Sequence, residues 1–251
     1  MTAVGRVLDQ PDGPPVALVT GATGGIGTAV CRALGAQGYA VVVHDFAKAE
    51  AGKALATDLP AATYVDGDIS DPEVAPRLVA AAVDRWGRLD VVVNNAGIAR
   101  QIPHRDLDAV PDEFWHQVLG VNLLGPWQVS RAAAPSLRAT RGTIINVASL
   151  AGLTVSGSSI PYAVSKAGLI HLTKLLAVAL APEIRVNAIA PGYIDTPLTH
   201  DWTALRDTVS ERAPLGRLGT PEDAAAAVQC LLNSPYTTGA VLTVDGGLHL
   251  S

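Results

Sequence analysis

From residue 16 onward, short β-branched apolar runs alternate with longer Ala- and Leu-rich runs, and no other feature restricts the possible folds as much. Strands are expected at 16–20, 40–44, 63–66, 89–94, 143–147, 185–189 and 241–244. Several of these runs, such as VALV at 16–19 and VVV at 41–43, are apolar without a break. Strands of that kind are buried on both faces, as in a parallel sheet between helical layers. Helices are expected at 25–37, 48–56, 72–85, 111–138, 162–180 and 221–232, with Pro72, Pro111 and Pro221 in first turns, each beside an acidic residue. With right-handed crossovers, the alternation builds a Rossmann-type, doubly wound α/β sheet of about seven strands. No linker or repeat interrupts it, so 14–251 reads as a single domain and 1–13 as an N-terminal extension. That extension carries Arg6 and Asp9 and lacks the apolar core of a secretory signal. Residues 192–219 read as an irregular excursion past the sixth strand. Ligands of such sheets bind at the strands' carboxyl ends, so this segment is a candidate substrate lid.

Composition removes several classes. Hydrophobic residues at 49% against 16% charged exclude a disordered chain. The longest unbroken apolar run, 175–181, is far short of the ~18 residues of a membrane span. A net charge of −5 with no Lys/Arg stripe gives no footprint for nucleic acid. The six histidines are scattered without metal-ligand spacing, so no metal is expected. Cys31 and Cys230 both sit in Ala/Leu-rich stretches and read as buried small apolar side chains, which places the chain in a reducing cytoplasm.

After the first strand comes Gly21-Ala22-Thr23-Gly24-Gly25-Ile26-Gly27, leading into a helix. Glycines there allow close backbone approach, and the helix start offers free N–H groups to a pyrophosphate. The spacing is G-x-x-x-G-x-G. Asp45, at the end of the second strand, lies where an acidic residue receives the hydroxyls of an adenosine ribose. A carboxylate there repels a 2′-phosphate, so NAD is preferred over NADP. Neither Phe46 nor the glycine turn supplies a cation; His44, if protonated, is the one complication.

Tyr162 and Lys166 are four apart in a helical run and share a face. A free phenol, with a pKa near ~10, exchanges protons poorly at neutral pH, and a neighbouring ammonium is expected to lower it. Ser149 follows the fifth strand, putting a hydroxyl at the sheet's carboxyl edge. Asn122 lies inside a helical pattern, where its amide must be satisfied, as a structural kink or as part of a polar relay.

With these residues, the chain resembles the short-chain dehydrogenase/reductase family in its classical subgroup, from about Val16 to Gly247. The resemblance rests on Thr20 to Gly27, Asp68-Ile69, Asn94-Asn95-Ala96-Gly97, Asn122, Ser149, Tyr162 with Lys166, Pro191-Gly192 followed by Thr196, and Val244 to Gly247. It implies that Asp68 and Ile69 bracket the adenine and that Asn95, Ala96 and Gly97 line the ribose. Pro191, Gly192, Ile194 and Thr196 would meet the nicotinamide end. Tyr162 would be the general acid/base, with Lys166 holding the nicotinamide ribose and tuning the phenol. Ser149 would bind the substrate oxygen, and Asn122 would position a relay water. It also implies a homotetramer or homodimer, through the helices expected at 111–138 and 162–180.

The expected activity is NAD(H)-dependent interconversion of a secondary alcohol and a ketone. The nearer alternative is an NADPH-dependent 3-oxoacyl-carrier-protein reductase, against which Asp45 and the lack of a basic cluster stand. The more distant one is a non-catalytic nucleotide-sensing or scaffold protein, which would need none of Ser149, Tyr162 and Lys166. Ile98, Leu150, Ile160, Tyr193 and Leu198 are the expected substrate-lining positions, with Trp202 in the lid as a further contact. Their apolar character suits a mid-sized alcohol or cyclic ketone.

Overall fold

The computed structural model describes residues 13–200 and 202–251; all of the expected N-terminal extension except Gly13 lies outside them. Seven parallel strands form one sheet: β1 (Val16–Val19), β2 (Ala40–Asp45), β3 (Ala62–Asp66), β4 (Val91–Asn94), β5 (Thr143–Val147), β6 (Arg185–Pro191) and β7 (Val241–Val244). Their order is β3-β2-β1-β4-β5-β6-β7. The direction of progression therefore reverses between β1 and β4, and that junction opens the crevice in which such sheets bind ligands. Every residue of β1, β2, β4 and β5 is buried, as their unbroken apolar runs require.

Alternate strand residues feed two cores. Leu18, Val42, Val92 and Ile144 pack against α3 (Val74–Trp86), α5 (Gly125–Thr140) and α6 (Ile160–Leu180). Val19, Val43, Val93 and Ile145 pack against α1 (Gly25–Ala36), α2 (Ala49–Asp58) and α8 (Pro221–Leu232). The α6 helix is long and apolar enough by composition to cross a membrane, but one face of it, including Leu169, Ile170 and Leu176, is buried.

Four expectations need correction. The single helix expected at 111–138 is α4 (Asp112–Leu119), a π-helical turn (Gly120–Leu124) and α5. The turn adds one residue to the helical period and directs Asn122 into the interior, where it is fully buried. The 192–219 segment is not wholly irregular, since it contains α7 (Thr203–Arg212), whose polar sequence gave no amphipathic signal. Of the three prolines, only Pro221 opens a helix, behind a reciprocal Thr220/Asp223 cap; Pro111 is the N-cap of α4, and Pro72 precedes α3, which carries Pro76 in its first turn. Cys31 is buried, but Cys230 lies on the solvent side of α8.

Candidate active site

The chain leaves β1 through a turn pressed against the segment after β4. Gly21 has φ +61°, and a Cβ on it would lie 2.7 Å from Ala96 Cα; a Cβ on Gly27 would lie 2.2 Å from the Gly21 carbonyl oxygen. Asn95 holds the turn down, its Nδ2 donating to the carbonyls of Thr20 (2.9 Å) and Gly21 (2.8 Å). The N–H groups of Asn95 and Ala96 both donate to Thr20 Oγ1. No side chain caps α1 at Gly24. The N–H groups of its first turn therefore lack intrahelical partners, and the positive end of the helix dipole meets open space.

At the end of β2, Asp45 is turned back onto this loop. Its carboxylate accepts from the Thr23 N–H (2.9 Å), the Thr23 hydroxyl and the Phe46 N–H (2.8 Å). The neighbouring His44 imidazole is buried, and its Nε2 lies 2.8 Å from the Gly67 carbonyl oxygen. Burial lowers its basicity and keeps it neutral, so the complication noted from the sequence does not arise.

At the other end, α6 starts just before Tyr162. Lys166 follows one turn later, its Nζ 5.8 Å from the centre of the Tyr162 ring and donating to the Val147 carbonyl at 2.8 Å. The Ser149 hydroxyl accepts from the Ala151 N–H and is close enough to the Tyr162 phenol to favour its ionised form. Burial pushes the phenol up, and the Ser149 contact only partly opposes it. Burial also pushes Lys166 down, to about 8. The expected lowering of the phenol by the ammonium is not found: desolvation sets the direction, and only the Ser149 contact opposes it. The Asn122 side chain is fully engaged: Oδ1 accepts from the Ile98 N–H (2.9 Å), while Nδ2 donates to the Ile98 carbonyl (3.0 Å) and to Ser165 Oγ (3.1 Å). It braces the loop after β4 and does not line the cavity.

One cavity of about 490 Å³ joins the two ends. Gly21, Thr23, Gly24, Gly25, Ile26 and Gly27, with Asp45, Phe46, Asp68 and Ile69, line its far end. Asn95, Ala96, Gly97, Ser149, Tyr162, Lys166, Pro191, Gly192, Ile194 and Thr196 line the rest. Of the expected substrate positions, Ile98 and Leu198 line it, whereas Leu150, Ile160, Tyr193 and Trp202 do not. Tyr193 instead braces the segment after β6: its hydroxyl donates to the Thr199 carbonyl (2.8 Å), and its ring meets Trp202 edge-on at 6.3 Å. Lys48, Val121 and Thr199 also line the cavity without having been singled out from the sequence. Lys48, three residues past Asp45, was within reach of a charge count along that loop. Val121 had no signal, because the π-helical turn that presents it is invisible to a periodicity search.

Residues 21–249 match the family described as enoyl-(acyl carrier protein) reductase. The chain is 50% identical over 246 residues to a Streptomyces violaceoruber protein described as granaticin polyketide synthase ketoacyl reductase 2, covering 96% of this chain and 98% of that one. The chain belongs to the short-chain dehydrogenase/reductase family. Another member, cis-4-hydroxycyclohexanecarboxylate dehydrogenase of Sinomonas cyclohexanicum, is 39% identical over 92% of this chain and 95% of its own. The crystal structure of a protein described as a short-chain dehydrogenase/reductase from Burkholderia xenovorans superposes with a TM-score of 0.88 at 36% identity, covering 95% of this chain and 99% of that one. As a short-chain dehydrogenase/reductase, this chain is an oxidoreductase acting on CH–OH groups, of a family that binds a nicotinamide cofactor.

Proposed function

We propose that the protein is an NAD(H)-dependent oxidoreductase that interconverts a mid-sized secondary alcohol and its ketone. The observation that carries this reading is the meeting of Ser149, Tyr162 and Lys166 with the uncapped α1 start and Asp45 around one cavity. A dinucleotide fits the cradle, because Gly21 and Gly27 leave no room for a side chain and the open N–H groups suit a pyrophosphate. Asp45 would take the adenosine ribose, Asp68 and Ile69 the adenine, Asn95 to Gly97 the ribose side, and Pro191, Gly192, Ile194 and Thr196 the nicotinamide end. When bound, the nicotinamide supplies the hydride acceptor or donor.

The chain's own residues manage the oxygen and its proton. Ser149 holds the substrate oxygen by a hydrogen bond. Tyr162 takes the hydroxyl proton in oxidation and returns it in reduction; its raised pKa favours the proton-donating form at neutral pH. Lys166, cationic below about 8, orients the nicotinamide ribose and stabilises the phenolate when it forms. Asn122 acts through the loop it braces. Ile98 and Leu198 give the substrate apolar walls. Exposed Leu124, Trp127, Val164, Leu175 and Val178 support assembly into a homodimer or homotetramer. The free cysteines suit a reducing cytoplasm.

Lys48 favours a second reading, an NADPH-dependent ketoacyl reductase. Lys48 lines the cavity, as Asp45 does, and its side chain has the charge to receive a 2′-phosphate, and the granaticin relative is described as a ketoacyl reductase. A panel of alcohols, cyclic ketones and 3-oxoacyl thioesters, followed by dihydronicotinamide absorbance with each cofactor, separates the two. Faster turnover with NADPH at equal concentration would replace the first reading by the second.

A further inference from the structure

We infer that Thr199 is a positioning residue for the redox reaction. Its hydroxyl fixes Ile194 and Thr196, two of the residues that would meet the nicotinamide, so the inference rests on the dinucleotide reading and extends it. Thr199 is 9% exposed, and each of its polar groups is engaged within the segment after β6. Its Oγ1 donates to the Ile194 carbonyl at 2.7 Å and accepts from the Thr196 N–H at 3.1 Å. Its N–H donates to the Thr196 carbonyl, and its own carbonyl accepts from the Tyr193 hydroxyl and the Trp202 N–H. One hydroxyl therefore holds the peptide groups on both sides of Asp195.

Thr196 is also held from the opposite side. A Cβ on Gly25 would lie 2.7 Å from Thr196 Cγ2, so the methyl sits on the start of α1. Its Oγ1 lies 3.3 Å from Thr199 Oγ1. With the methyl against Gly25 and the hydroxyl beside Thr199, the Thr196 side chain keeps one rotamer. The same segment has a second brace, in which Arg206 donates to both Asp195 oxygens, at 2.6 and 2.7 Å. Those side chains are 30% and 44% exposed, and an ion pair open to water contributes little. The Thr199 bonds are shielded, so removing the hydroxyl strands the Ile194 carbonyl and the Thr196 N–H. Ile194 and Thr196 both line the cavity, and a shift of about 1 Å between reacting groups can cost roughly a hundredfold in rate.

The test is a titration of the full chain with NADH and with ADP-ribose, which lacks the nicotinamide. NADPH and 2′-phospho-ADP-ribose form a parallel pair, and the pair that wild type binds more tightly is read. Thr199→Val keeps the shape of the side chain without its hydrogen bonds. It should weaken the dinucleotide about tenfold, leave the ADP-ribose ligand within about twofold, and lower kcat about ten- to hundredfold. Thr199→Ser, which restores the hydroxyl, should return all three to within about twofold of wild type. Equal weakening of both ligands, no weakening of the dinucleotide, or a serine variant no better than valine overturns the inference and leaves the dinucleotide reading standing. Failure of wild type to bind either dinucleotide overturns both. Should Thr199→Val not fold, amide exchange in wild type decides. The Thr196 N–H should be protected in the free chain and slow further with the dinucleotide but not with the ADP-ribose ligand. Free exchange, or the same response to both ligands, overturns the inference.

Discussion

Lys166 donates from Nζ to the carbonyl oxygen of Val147 at 2.8 Å. This bond ties α6, which carries Tyr162, to β5, which delivers Ser149, and it holds an ammonium inside the protein. Burial lowers that ammonium from 10.5 to about 8. Between those values the unfolded chain retains a proton that the folded chain has released, so this group's contribution to stability rises with pH across that window and is flat below it. The difference in unfolding free energy, wild type minus Lys166→Met, should therefore grow between pH 8 and 10.5, by about 3 kcal/mol at most. Denaturant melts at several pH values check this. A difference independent of pH would mean that the lysine titrates in the folded protein as it does in the unfolded chain, with its ammonium solvated.

Tyr162→Phe removes the proton-exchanging oxygen and little else. Turnover should fall about 10²–10⁴-fold, with dinucleotide affinity within about twofold of wild type. In the wild type the raised phenol pKa should make alcohol oxidation accelerate with rising pH, while ketone reduction stays level through neutrality. Steady-state rates in both directions, beside binding titrations, test this. Full activity in the Phe variant would remove Tyr162 from the chemistry.

Asp45 anchors Thr23 and presents a carboxylate to the cavity. Asp45→Ala should lower kcat/KM with NAD by at least about tenfold and shift the NAD/NADP ratio toward NADP. Lys48→Ala should leave the NAD constants unchanged and weaken NADP. If Lys48→Ala impairs NAD instead, the ammonium serves the pyrophosphate and the electrostatic account of the far end needs replacing.

Arg185 supports the fold away from the cavity. Its guanidinium donates to the carbonyls of Leu231, Leu232, Ser234 and Thr237, tying off the end of α8 and the turn beyond it. Arg185→Ala should cost about 2–4 kcal/mol and lower Tm by roughly 5–15 °C, with little change in kcat at permissive temperature. Calorimetry and assay together check it. An unchanged Tm would mean that water replaces the guanidinium.

Local pattern made much of this protein readable in one dimension. Unbroken apolar runs announce strands covered on both faces, and the glycine cluster after Val19 announces a turn that admits no side chains. The Tyr162–Lys166 spacing puts two groups on one helical face. These are properties of neighbours in the chain, so they survive without knowledge of the fold. Tertiary structure decided the rest. The strand order places β5 beside β4, and so brings Ser149 and Asn95 to one crevice from positions 54 residues apart. It buries Lys166 and encloses much of Tyr162, and thereby moves both pKa values by desolvation, which no spacing encodes. It opens the helix after α4 into a π-helical turn because Asn122 must reach Ile98 and Ser165. It also leaves His44 Nδ1 covered and unpaired. Burial and hydrogen-bond partnership arise between segments, and the chain's order alone does not contain them.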